Sequence, residues 1–398
     1  MSAGDAVISR FLSAKLVLCL MVILALACSV LVLPLPRLGL SSAPETKSVA
    51  DIDNLVSYVR ARPFDALGYL ALTNAALPSV VDNAARTDRF IETAAALAPT
   101  DPNVLLLRAK RALQRSEIAD ALRLLAQVQR QIQSNDALEA MLPFLGTKDW
   151  QKFSQELVAT DAQLAGRNLE YQCARDVNPE HLLLLAHLLA ARQLLRPAAV
   201  NCVAGKALAA GKGAAAQWLW VSSFTKLPTR IPLVFNGDFT LQTKGDVFDW
   251  RMPSGGVYRS GFAASLATES TRTSNNRVLA LRFGARPVLT PLIEHALALA
   301  PGQYRMSYDI RSSAGIHPSS VSWMVRCAAG GEKAAIQASP NNTDGNSGWQ
   351  TMSVSIKVPD SCDGQILSLG MASQLLALSG LDGTVWIDNV VVNVATAK

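Results

Sequence analysis

The pattern of apolar positions changes three times along the chain. From Leu16 to Leu35 apolar residues run almost unbroken, with no charge among them. A stretch of about 20 residues at roughly 1.5 Å rise crosses a hydrocarbon core of roughly 30 Å, so residues 16–36 are expected to form a transmembrane helix. Residues 37–50 are small and polar and read as a linker. Between Asp51 and Phe224 apolar residues recur with the helical period, and Gly and Pro gather at turns, which predicts an α-helical region over 51–228. From Ile231 the period becomes two. Arg277–Phe283, Gln303–Ile310, Val321–Cys327, Trp349–Val358, Gln365–Gly370 and Gly383–Val392 alternate between turns rich in Gly, Pro, Asn and Ser. That pattern predicts an antiparallel β-sandwich of eight or more strands over 231–396. The expected fold class is therefore multidomain α + β.

Within the helical region a turn phrase recurs. Arg62-Pro63-Phe64-Asp65-Ala66 is echoed by Ala98-Pro99-Thr100-Asp101-Pro102, and more loosely by Asn178-Pro179-Glu180. The first spacing, about 36 residues, is close to the roughly 34 residues of a tetratricopeptide unit. Asp101 to Gln133 resembles such a unit most. Ala109 and Ala121 stand at small-residue positions, and Leu105, Leu113, Ile118 and Leu125 would fill the helix interface. The large aromatic positions of the family pattern are missing. The resemblance implies a concave surface for protein partners; the alternative is a helical spacer.

Two phrases bracket the β region: Phe235-Asn236-Gly237-Asp238-Phe239 and Trp386-Ile387-Asp388-Asn389-Val390, each expected to be a strand. With the turn Ala300-Pro301-Gly302-Gln303-Tyr304, they resemble the jelly-roll carbohydrate-binding modules attached to glycan-active enzymes. The resemblance implies glycan binding and, in several such families, a structural calcium shared by the opening and closing strands. Asp238 and Asp388 would be its ligands here. Thr240 replaces a Glu common in relatives, and Asp388 with Asn389 can equally cap a strand end by local hydrogen bonds.

Sugar recognition needs flat aromatic faces and planar polar side chains. The candidates are Trp250, Tyr258 and Trp349 with Asp249, Arg251 and Gln350, and more loosely Trp323, Arg282 and Arg326. The alternation Phe248-Asp249-Trp250-Arg251 stands out, whereas Trp323 and Trp386 sit among apolar neighbours and are expected in the core. No GxSxG elbow, phosphate-binding loop or HExxH motif is present. Asp238, Asp249, Glu269, Glu294, Asp309 and Asp388 show no spacing that singles out a catalytic carboxylate pair. Glu294-His295 is expected to be a turn or edge pair between strands. The expectation is a non-catalytic protein.

Charge and cysteine change the picture modestly. Of 398 residues 17% are charged, and the formal net charge is +6. The cations form no dense run and are not interleaved with aromatics, which argues against nucleic-acid binding. Arg10 and Lys15 precede the apolar run, so the positive-inside rule leaves residues 1–15 in the cytoplasm and the bulk of the chain in a bacterial periplasm. A cleaved signal peptide and a lipoprotein site at Cys28 are the alternatives. Cys173 and Cys202 fall in the helical region and Cys327 and Cys362 in the β region. An oxidising compartment permits Cys173–Cys202 and Cys327–Cys362 disulfides; the other reading is four buried thiols. These features suggest an inner-membrane accessory protein of polysaccharide synthesis or export. It would hold a polysaccharide or lipid-linked glycan and recruit synthesis or export proteins through its helices. The alternatives are a scaffold whose sandwich binds protein, and a divergent glycan hydrolase or lyase.

Overall fold

The structure, a computed structural model, describes residues 50–76, 80–146, 149–224, 231–252, 261–270, 275–330, 336–337 and 348–395. The expected membrane segment 16–36 lies outside them, and no described helix is long and apolar enough to cross a membrane. The chain forms two compact units, Met1–Val104 and Leu105–Lys398.

The first unit holds α1 (Ala50–Ala61), α2 (Ala66–Ala76) and α3 (Val80–Leu97). Leu55, Val59 and Leu72 are buried together, with Tyr69 and Phe90 against them. Asp65 explains the first turn phrase: its carboxylate accepts from the Leu67 amide at 3.0 Å and the Tyr58 hydroxyl at 2.6 Å. One donor left over at the helix start is thereby satisfied.

The helix α4 (Pro102–Gln114), most of which lies in the second unit, is followed by α5 (Ile118–Ile132). Asp101 accepts from the amides of Asn103 and Val104, at 2.8 and 3.2 Å. The buried face of α5 is Ile118, Ala121, Leu122, Leu125, Ala126, Val128 and Gln129, a stripe at the helical period. There follow α6 (Asp136–Glu139), a 3-10 turn, α7 (Trp150–Thr160), α8 (Ala162–Cys173), α9 (Pro179–Ala190), α10 (Pro197–Ala209) and α11 (Gly213–Ser222). Asp161 caps α8 and Asn178 caps α9, the latter with proline in the first turn. A Cys173–Cys202 disulfide staples α8 to α10, Cα atoms 6.1 Å apart.

The sandwich has β1 (Phe262–Ser270), β2 (Asn275–Arg286), β3 (Ile293–Leu297), β4 (Gly302–Ser312), β5 (Val321–Cys327), β6 (Ile336–Gln337), β7 (Gln350–Val358), β8 (Gln365–Met371) and β9 (Leu381–Val394), with a short helix, α12 (Gln374–Ser379), before β9. One sheet runs β1-β2-β9-β4-β7-β6 and the other β3-β8-β5, with every pair antiparallel. Leu279, Leu281, Ile310, Val385 and Ile387 of the larger sheet share a core with Ile293, Trp323, Val325, Leu367 and Leu369 of the smaller. Each such side chain contributes about 1.5–3 kcal/mol by leaving water. A Cys327–Cys362 disulfide ties the end of β5 to the turn before β8. Both disulfides fit an oxidising, extracytoplasmic compartment.

The sequence changes character at residues 228–231, yet the hydrophobic core runs across that position. Trp220 of α11 lies 5.0 Å from Phe235 and 5.5 Å from Phe248, ring centre to ring centre. Ala296 of β3 and Ile366 of β8 join the helical core through the outer face of the smaller sheet. Asn201 of α10 donates to the Asp246 carboxylate at 2.6 Å. Gly213 and Gly364 allow the closest approach: a Cβ on Gly213 would stand 2.4 Å from the Gly364 Cα.

Candidate functional site

The opening phrase Phe235–Phe239 forms a turn, where the sequence suggested a strand. Asn236 and Phe239 adopt the left-handed conformation, with φ of 52° and 50°. The Asn236 amide closes the turn on itself, donating to the Leu241 carbonyl at 3.1 Å and accepting from the Leu241 amide at 3.0 Å. Gly237 is required by close approach, since a Cβ there would be 2.0 Å from the Val390 oxygen. In return Val390 donates its amide to the Gly237 carbonyl at 2.8 Å. The opening phrase thus seals the edge of β9 beyond the point where β2 stops pairing.

The most prominent sequence candidates are structural. Trp250 is 0% exposed. Its indole NH donates to the Asn236 carbonyl at 2.9 Å, and its ring packs against Phe239, His295 and Trp323. It presents no face to a ligand. Asp249 is buried as well and accepts from the amides of Lys244 at 2.7 Å and Trp250 at 2.8 Å. Its polar atoms complete a loop, as buried acceptors must. Arg251 is exposed, its backbone bridged to Glu294. Tyr258 lies outside the described residues.

Glu294 and His295 belong to β3, not to a turn. As strand neighbours they face opposite ways. His295 is 1% exposed in the core against Trp250, while Glu294 reaches Arg326 at 3.4 Å on the outer face. Burial pushes the His295 imidazole down to about 4 against a weaker opposing pull from the Phe235 carbonyl, 3.1 Å from Nε2. The pair makes no acid–base couple.

The outer face of the six-stranded sheet carries a different constellation. On β9, Val385 and Ile387 point into the core, so Trp386 points out; the structure corrects its expected core placement. Register sets Trp386 opposite Arg311 of β4 on one side and Ala280 of β2 on the other. The Arg311 guanidinium lies 4.3 Å from the centre of the Trp386 ring and 5.3 Å from that of Trp349. Glu269 of β1 completes the group, its carboxylate 2.8 Å from Arg311. Both indoles are half-buried, which keeps an edge or face of each in water. Beside them Asp309 accepts from the Thr351 hydroxyl at 2.5 Å and from the Asn389 amide at 2.9 Å. Gln350 is placed apart from this face, opposite the inward-pointing Ile310. Of the aromatic residues named as sugar-stacking candidates from the sequence, Trp349 alone joins this constellation; Arg282 lies on the same face. Strict period two along Thr384-Val385-Trp386-Ile387 is the signal that would have found Trp386.

Asp388 is 1% exposed and accepts from the Asn389 amide at 2.8 Å. Burial raises its carboxyl to about 6, and the charges of Asp309 and Asp238 push in the same direction. Asp238 is exposed and accepts from Thr240, amide at 3.3 Å and hydroxyl at 3.1 Å. Among the described residues no group of three His, Cys, Asp or Glu side chains is placed to hold a metal ion. Asp388 and Asn389 make the local hydrogen bond that the capping alternative describes.

Comparison with known proteins places the sandwich beside two solved structures. One, described as "CBM4 structure and function", is 17% identical, covers 40% of this chain and 98% of its own, and has a TM-score of 0.25. The other is the CBM22-1 xylan-binding domain from Paenibacillus barcinonensis Xyn10C, at 13% identity, 41% and 94% coverage, and a TM-score of 0.28. No family model matches the chain. No curated protein matches it either. The chemistry of the outer face, rather than these likenesses, bears on what it binds.

Proposed function

We propose that the outer face of the six-stranded sheet binds a glycan and that the chain is a non-catalytic, extracytoplasmic glycan-binding protein. The observation that carries this reading is the Trp349–Arg311–Trp386 stack braced by Glu269. Stacking on a guanidinium holds the rings in place, so little ordering is left to be done when a sugar settles on them. The neighbouring Asp309, Thr351 and Asn389 offer donors and acceptors at the spacing of adjacent strands, suited to hydroxyl groups. The face's carboxylates are engaged, Glu269 with Arg311 and Asp309 with Thr351 and Asn389, which suits binding better than hydrolysis. In this reading the helices serve as a docking platform for proteins of polysaccharide synthesis or export, held near a membrane by residues 16–36.

The test is affinity electrophoresis of the full chain through gels containing bacterial exopolysaccharides, beside the Trp386→Ala and Trp349→Ala variants. Base stacking of comparable aromatic area is worth about 1–3 kcal/mol per ring, so each variant is expected to weaken binding about tenfold while its unfolding temperature is unchanged. Retardation equal to wild type in both variants refutes the site.

A further inference from the structure

Trp386 lies on the central strand β9 between two guanidiniums. Arg311 stands directly opposite it on β4. Arg282 on β2 stands opposite Thr384, which makes it the diagonal neighbour of Trp386 on the same outer face. Diagonal neighbours lie about 7–8 Å apart, within reach of a long side chain. The two cations are in different states. Arg311 has its guanidinium 4.3 Å from the centre of the Trp386 ring and 5.3 Å from that of Trp349, and one of its nitrogens 2.8 Å from the Glu269 carboxylate. Arg282 is exposed and makes no ion pair among the described residues, although Asp382 is its diagonal neighbour on the other side.

We infer that this face selects an acidic, carboxylate-bearing polysaccharide, with Arg282 as the residue that reads the carboxylate; this rests on the glycan-binding reading above. A uronate ring lying on Trp386 projects its carboxylate from the ring edge toward a neighbouring strand, about 4.7–4.9 Å away. Toward β4 that group meets a guanidinium already neutralised by Glu269. Toward β2 it meets Arg282, whose fork matches a carboxylate bidentately. The acids of the face fix the same orientation. Asp309 and Asp388 pair with each other across β4 and β9, on the side of Trp386 away from Thr384. They repel an anion from that end and leave Arg282 as the favourable one.

The experiment measures binding of the full chain to polygalacturonate and to the same polymer after chemical reduction of its carboxyl groups, for wild type, Arg282→Gln and Trp386→Ala. Wild type is expected to prefer the acidic polymer by about tenfold, as for a hydrogen bond to a charged group. Arg282→Gln is expected to bind both polymers alike, at the wild-type affinity for the reduced one. Arg282 is exposed, so the variant keeps its fold, checked by an unchanged unfolding temperature. Equal wild-type affinity for the two polymers, with binding lost in Trp386→Ala, overturns the acidic selection and leaves the glycan site standing. A preference for the acidic polymer that survives in Arg282→Gln overturns the role of Arg282. Binding of neither polymer, nor of any exopolysaccharide, removes the glycan reading and this inference with it.

Discussion

Two buried titrating groups in the sandwich oppose each other, and replacing Asp388 by Asn should reveal both. His295 is neutral in its core position against Trp250, with Arg251 adding to the effect of burial, and takes a proton only near pH 4 rather than 6.5. The unfolded chain takes that proton first. Its stabilisation is therefore complete above pH 6.5 and is lost as pH falls to about 4. A displacement of that size corresponds to about 3 kcal/mol. Asp388 runs the other way. Folded, it keeps its proton up to about pH 6; unfolded, it releases it near 3.8. Its stabilisation is complete below 3.8 and is lost as pH rises through 6, again by about 3 kcal/mol. Between pH 4 and 6 the two slopes nearly cancel, so the contribution of this pair to wild-type stability is close to flat. Asn at 388 keeps an acceptor oxygen for the Asn389 amide and removes the buried charge. The variant should be more stable than wild type by about 3 kcal/mol at pH 7, equal to it near pH 4, and should show the bare His295 slope between. Urea unfolding followed by tryptophan fluorescence at pH 4, 5, 6 and 7 measures this, with an upward midpoint shift of up to about 1 M at pH 7. A variant that is less stable than wild type at pH 7 refutes the reasoning, because it would mean that a cation or other partner compensates the Asp388 charge.

Other consequences concern the core and the seam between helices and sandwich. Trp250→Ala should cost about 3–5 kcal/mol, because it empties a fully buried site and removes one of the two hydrogen bonds to the Asn236 carbonyl, leaving that from the Phe239 amide. Thermal unfolding checks it, and the more conservative Trp250→Phe should retain polysaccharide binding, since the ring never meets the ligand. Gly213→Ala should lower the unfolding temperature by several degrees, as overpacking costs about 1–3 kcal/mol, because the new methyl meets the Gly364 backbone. Calorimetry showing no change in that variant would mean that the seam is looser than the structure shows.

Much of the local architecture is legible in the sequence. Asp65, Asp101 and Asn178 mark helix starts because their short side chains satisfy the first amides whatever the helix later packs against. The six alternating stretches became β2, β4, β5, β7, β8 and β9, since the period of two belongs to the extended chain itself. The cysteine pairs followed from which half of the chain each member occupies. The site was not legible, for a physical reason. Residues 269, 311, 349 and 386 meet through the register of separate strands, and register depends on long-range pairing that no local window contains. An aromatic beside charges, as at Trp250, looks the same locally whether its ring faces water or the opposing sheet. Only closure of the sandwich buried Trp250, and only the position of β9 at the centre of the larger sheet put Trp386 on its outer face between two arginines.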